Sequence, residues 1–158
     1  MKRYLSIKIL VLTLTLIAGS VAATATERPF SFSGGGLAVP ILNEAGQPIG
    51  IDVTGSGNGT HIGLFTTIGK VFFSPDPNDP TQIIPSGEAT LTAANGDKLI
   101  FVVIDGSQSL ITGVGTGHFG FTGGTGRFAN ATGIISYVVE QNFLTGGYTV
   151  TAVGSIDY

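Results

Sequence analysis

The sequence predicts an all-β protein and, within that class, a single eight-stranded antiparallel up-and-down barrel. Three observations carry the class. Beyond residue 25 no stretch places apolar residues at helical spacing, whereas β-branched and aromatic residues recur in runs separated by Gly, Asn, Asp and Pro. The chain holds 25 glycines in 158 residues at a mean hydropathy of +0.41. Glycine penalises helices and disorder requires low hydrophobicity, so neither a helical bundle nor a disordered tail fits. Finally, turn-forming clusters punctuate the chain at intervals suited to strands.

The strands expected in order are Phe30 to Ile41, Ile49 to Ser56, His61 to Phe73, Gly87 to Ala93, Lys98 to Ser107, Thr112 to Thr122, Ala131 to Phe143 and Gly147 to Ile156. Asn43-Glu44-Ala45-Gly46, Gly57-Asn58-Gly59, Asn95-Gly96-Asp97 and Thr145-Gly146-Gly147 separate them, because Asn and Gly tolerate positive φ. Asn95-Gly96 between two apolar runs is the strongest hairpin signal. Ser74 to Pro80 carries three prolines, which cannot donate to a sheet ladder, and reads as a surface loop near one barrel mouth. Closure removes the exposed edges that a weakly charged chain has few means of protecting, and this favours a barrel over a sandwich. Gly113, Gly115 and Gly117 alternate with Val114, Thr116 and His118, as in a bent strand whose one face comes close to something.

Ahead of the strands, Lys2 and Arg3 precede an apolar run from Ile9 to Ile17 and then small residues through Ala25. This is the pattern of a secretory signal peptide over residues 1–25, with cleavage after Ala23 or Ala25 and the barrel domain over 26–158. An uncleaved anchor would need about 20 apolar residues, and Lys8 shortens the run. The expected destination is outside the cytoplasm, secreted or periplasmic. Removal of the segment leaves four basic residues against ten acidic ones, a net charge of about −6. Such a chain has no electrostatic reason to bind a phosphate backbone, so nucleic acid is not an expected partner. With no cysteine, an exported protein must rely on burial and backbone pairing alone.

The most specific motif is Thr122-Gly123-Gly124-Thr125-Gly126-Arg127-Phe128-Ala129-Asn130-Ala131-Thr132-Gly133. Physically it reads as a tight glycine turn at Gly123, Gly124 and Gly126, a plug for the barrel end at Phe128, and a bend at Gly133. No helix follows and there is no P-loop lysine, so it is not a phosphate cradle. The segment resembles the Gly-Gly-(Thr/Ser)-Gly-x-Phe-x-x-x-x-Gly signature of the superfamily that joins allene oxide cyclases and dirigent proteins, both eight-stranded barrels. The resemblance implies either a pocket-steered ring closure or the steering of phenolic radical coupling, with a small hydrophobic or phenolic ligand and a homo-oligomeric assembly. The cyclase's carboxylate and cysteine are not matched: Ile41 stands where the carboxylate would fall, and the chain has no cysteine.

Residues able to carry chemistry are few. His61 and His118 are the only histidines, and with no third ligand demanded by spacing neither a metal nor another cofactor is expected. Glu140 interrupts an apolar strand: facing inward it would be a desolvated general acid, facing outward a solvated charge. Glu140 and His118 are therefore the catalytic candidates, and His61, His118, Arg127, Tyr137 and Glu140 the candidate pocket residues. No Gly-x-Ser-x-Gly elbow supports a hydrolase. Three functional readings follow. The first is a secreted barrel that binds a small hydrophobic ligand or serves as a scaffold. The second is a cyclase, isomerase or dirigent-type protein. The third is a small outer-membrane barrel, suggested by alternate apolar residues in a last strand ending at Tyr158.

Overall fold

The computed structural model describes residues 27–158; residues 1–25, expected to be a signal peptide, lie outside them. Eight strands form a closed antiparallel barrel in chain order: β1 (Arg28–Leu42), β2 (Pro48–Gly59), β3 (Gly63–Pro75), β4 (Gln82–Ala93), β5 (Lys98–Ser109), β6 (Val114–Gly124), β7 (Ile134–Gln141) and β8 (Gly147–Ile156). Closure is made by β1 against β8, from Arg28 opposite Ile156 to Leu37 opposite Gly147. Every consecutive pair is joined by a short connection, so every ladder except β1–β8 forms between neighbours in sequence.

Side chains on a strand alternate between faces, and cross-strand register aligns the inward set around the barrel. Phe30 and Phe32 on β1, Phe65 on β3, Leu91 on β4, Leu99 and Phe101 on β5, Phe119 and Phe121 on β6, Ile135 and Tyr137 on β7, and Ala152 and Ile156 on β8 make one buried core. Its rings pack edge-on or tilted, Phe30 with Phe121 at 5.2 Å and Phe101 with Phe119 at 4.6 Å between centroids, while Phe119 stacks on Tyr137 at 4.0 Å. A transmembrane barrel has a polar lumen and an apolar outer band. Here the interior is apolar, while the outer wall carries the ion pairs Lys70–Asp52 at 2.7 Å and His118–Asp105 at 2.8 Å beside exposed apolar residues such as Leu37, Leu64, Ile68 and Val153. The apolar interior weighs against the outer-membrane reading.

The two barrel ends differ. At one, the 3₁₀ turn Gly126–Phe128 folds Phe128 inward to 0 % exposure, where its ring meets Tyr158 at 5.1 Å. This end is plugged. Gly123, Gly126 and Gly133 hold positive φ there, but Gly124 does not; what excludes a side chain at Gly124 is the backbone carbonyl of Lys98. At the other end the 43–47, 76–81, 110–113 and 142–146 connections surround an open mouth.

Several strand limits move. β4 begins at Gln82 rather than Gly87 because Pro85 is accommodated where the β4–β5 ladder is interrupted, between Ile83–Gln108 and Glu88–Val102. β3 begins at Gly63, since His61 occupies a left-handed turn position at φ 62°. β7 is confined to Ile134–Gln141, the Asn142 to Gly146 segment being a turn.

Candidate functional site

Between the aromatic plug and the open mouth lies a cavity of about 100 Å³. Its walls are mainly apolar, with Ile51, Val53, Val71, Phe73, Val103 and Val150 among them. Polar groups reach it from Thr67, Gln108, Tyr137, Gln141 and Tyr148; Glu88 borders it on β4, but it is exposed and lies opposite Lys70 on the outer face, between inward Gly87 and Ala89. No lysine or arginine belongs to the lining.

Glycines decide where the tyrosines go. Across the β5–β6 ladder Gly106 faces Gly117, and the Tyr137 hydroxyl lies over both; a Cβ on Gly117 would stand 2.8 Å from it. Tyr148 similarly lies over Gly55, where a Cβ would approach its hydroxyl to 2.7 Å. At Gly106 the Tyr137 hydroxyl is the first atom a Cβ would meet, whereas at Gly117 and Gly55 the backbone carbonyls of Asp105 and Gly35 stand closer still and exclude a side chain before the phenol does. Burial, then the Asp105 carboxylate, pushes the Tyr137 phenol up to about 12, and burial raises Tyr148 as well. Both therefore remain neutral hydroxyls at ordinary pH.

Among the described residues Gln108 is the one buried polar side chain besides the tyrosines, at 4 % exposure. Its Nε2 donates to the Gly113 carbonyl at 3.0 Å and to Gln141 Oε1 at 3.2 Å. A carbonyl can only accept, so this pair of bonds fixes the amide orientation and leaves Gln108 Oε1 as the acceptor available inside. The cavity thus presents an oriented acceptor, two neutral phenols and otherwise hydrocarbon.

Of the five residues expected to line the pocket, Tyr137 does so, and the other four stand elsewhere. His118 faces outward: on β6 the inward set is Gly115, Gly117, Phe119 and Phe121, and alternation puts His118 on the opposite face, where its Nδ1 pairs with Asp105. Glu140 is likewise on the outer face, between inward Val139 and Gln141, so neither catalytic candidate reaches the interior. Arg127 sits outside the plug, 3.6 Å from Asp97 with its guanidinium over the Phe128 ring. His61 caps the same end, its Nε2 3.1 Å from the Pro29 carbonyl oxygen and its ring against Tyr158.

Gln108, Gln141 and Tyr148 were missed. The β5 ladder shifts register between Val103 and Asp105, so the inward set changes from odd to even numbers and Gln108 turns in where strict alternation turns it out. Tyr148 did carry a signal: it pairs with Gly36, and the glycines of β1 and β2 at alternate positions mark the space it fills.

Among the described residues, no cluster of three or more His, Cys, Asp or Glu is arranged to hold a metal ion. No family model matches the chain, and no curated protein matches it in sequence. Solved structures of similar shape include two pterocarpan synthase dirigent proteins. One superposes with a TM-score of 0.53 at 14% identity, covering 84% of this chain and 96% of that one. The other gives 0.49 at 14% identity, covering 84% and 86%. With eight strands closed in the same way, the chain has the dirigent-like β-barrel fold.

Proposed function

We propose that the barrel binds a small, uncharged, mainly apolar molecule bearing a hydroxyl group, such as a phenol, and that it does so outside the cytoplasm after loss of residues 1–25. The observation that carries this reading is the lining of the cavity: hydrocarbon walls, the fixed acceptor of Gln108 and the neutral hydroxyls of Tyr137 and Tyr148, with no basic side chain to attract an anion. At about 100 Å³ the cavity suits a ring-sized group; an engineered apolar cavity of ~150 Å³ takes up benzene. A larger ligand would extend past Gln141 and Tyr148 through the mouth. The sequence pattern of residues 1–25 supports export.

Equilibrium titration with single-ring phenols and their matched methyl ethers and carboxylates tests the reading. Phenols are expected to bind best. Tyr137→Phe should weaken them about fivefold, the effect of one hydrogen bond, and Val150→Phe should abolish binding by filling the space. Absence of saturable binding by any phenol, or equal binding by Val150→Phe, would refute it.

A second reading, in which the cavity confines a reactive intermediate and steers its coupling or ring closure, draws support from the fold it shares with a pterocarpan synthase dirigent protein. In this reading the neutral hydroxyls of Tyr137 and Tyr148 and the Gln108 amide position the intermediate, since Glu88 and Glu140 both lie on the outer face. A product distribution unchanged by the protein during oxidative coupling of a bound phenol would leave the holding function alone.

A further inference from the structure

The open end of the barrel is built unlike the plugged one. Its two turns on the β5–β6 and β7–β8 side end in Leu110-Ile111 and Phe143-Leu144, with Ile111 76 % exposed and Leu144 98 % exposed. These are tips, not slopes of the wall, and each is held out by hydrogen bonds at its base. Ser109 Oγ accepts from the Ile111 and Thr112 amides at 3.2 Å, and Asn142 Oδ1 from the Leu144 and Thr145 amides at 3.0 and 3.1 Å. The turns at the plugged end present Thr60, His61, Asn95, Asp97 and Asn130 instead. Large apolar side chains held fully in water at the tips of ordered turns signify a surface that is covered in use.

Charge is divided along the same axis. At the plugged end Arg28, Lys98 and Arg127 are balanced by Glu27, Asp97 and Asp157, and Lys70 is on the wall, whereas Glu44, Asp76, Asp79 and Glu140 surround the open end with no basic residue among them. Hydrogen bonds from Thr81, side chain first and then amide, hold the Asp79 carboxyl below its ordinary value, so it stays ionised. An apolar centre ringed by carboxylates complements a surface with a hydrocarbon interior and outermost cationic groups, which describes choline headgroups and excludes an anionic leaflet.

The tips also border the cavity mouth. Gln141 and Tyr148 line the interior and, on their other side, a surface groove bounded by Ile111, Phe143 and Leu144. From these observations we propose that the open end docks on a zwitterionic phospholipid surface through the Leu110-Ile111 and Phe143-Leu144 tips. Docking sets the mouth against the lipid, and an apolar molecule passes between bilayer and barrel without crossing water. Docking is independent of what the cavity holds, while the passage of an apolar molecule rests on the ligand proposed above.

Flotation of the purified protein with phosphatidylcholine vesicles tests it. Wild type is expected to float with the vesicles. Ile111→Asp and Leu144→Asp should each weaken association about tenfold or more, the effect of keeping one large apolar side chain out of the bilayer. Val153→Asp, on the exposed wall, should stay within about twofold of wild type. Replacing a third of the lipid with phosphatidylglycerol should weaken binding further. Because both tip residues are exposed, the variants should melt with wild type, so lost flotation reports the surface and not unfolding. Failure of wild type to float overturns the proposal, as does an equal loss in Val153→Asp or tighter binding to the anionic vesicles. A concentration-dependent oligomer in the absence of lipid, dissolved by Leu144→Asp, would assign the tips to a second copy of the chain and would equally overturn it.

Discussion

Tyr137 concentrates the chemistry of the interior in one side chain. Its ring stacks on Phe119 and its hydroxyl lies above Gly106 and Gly117, so the phenolate would be formed in a poorly solvated place beside the Asp105 charge. The folded state therefore holds the proton to about pH 12, while the unfolded chain releases it near 10. The folded state binds more protons in this interval, so the stabilisation is fully present below pH 10 and is lost as pH rises toward 12. The loss is about 1–2 kcal/mol once screening by solvent in the cavity is allowed for. Denaturant unfolding of wild type and Tyr137→Phe across pH 9 to 12 should show a steeper decline in wild type by that amount. Parallel curves would place the phenol in a solvated setting.

At the level of elements, the 3₁₀ turn and the two strands it joins make the plug. Phe128 is completely buried against Tyr158, with Leu99, Ala131 and Ile156 also at or near zero exposure in the same core. Phe128→Ala should cost about 3–5 kcal/mol, the range for removing a buried ring that neighbours cannot replace. Chemical denaturation measures it, and a cost below 1 kcal/mol would mean that the end collapses readily. The residues of this element were legible early, because the turn sequence Gly123 to Gly133 has few other uses. The inward list on β5 was not. Alternation assigns faces only while register is continuous, and the shift between Val103 and Asp105 exchanges the two faces for the remainder of the strand. His118 could have been placed from sequence: Phe119 and Phe121 flank the opposite parity, and the glycines at 113, 115 and 117 belong with them.

The whole molecule is a ring whose ends meet. Arg28 pairs with Ile156, and Glu27 hydrogen-bonds Ser155, so the two termini of the domain lie together at the plugged end while the 76–81 loop is exposed at the mouth. A circular permutant that joins residue 158 to residue 27 through a short glycine linker and opens the chain within 76–81 should keep every ladder. Its stability should remain within about 2 kcal/mol of the parent, since loop closure entropy changes slowly with length. Thermal unfolding by circular dichroism checks this. Loss of cooperative folding would show that the β3–β4 connection organises the barrel beyond joining two strands.

Composition, turn chemistry and period-2 patterning by themselves determined the class and the number of strands, because these rest on local backbone preference; closure was read from the need to cover sheet edges together with the resemblance carried by Gly123 to Gly133. Only the tertiary structure decided which residues meet inside. Tyr137 rests over glycines of two other strands, and Gln108 turns inward because a ladder slips by one residue. Each of these depends on register between strands, a relation that no single strand's sequence contains.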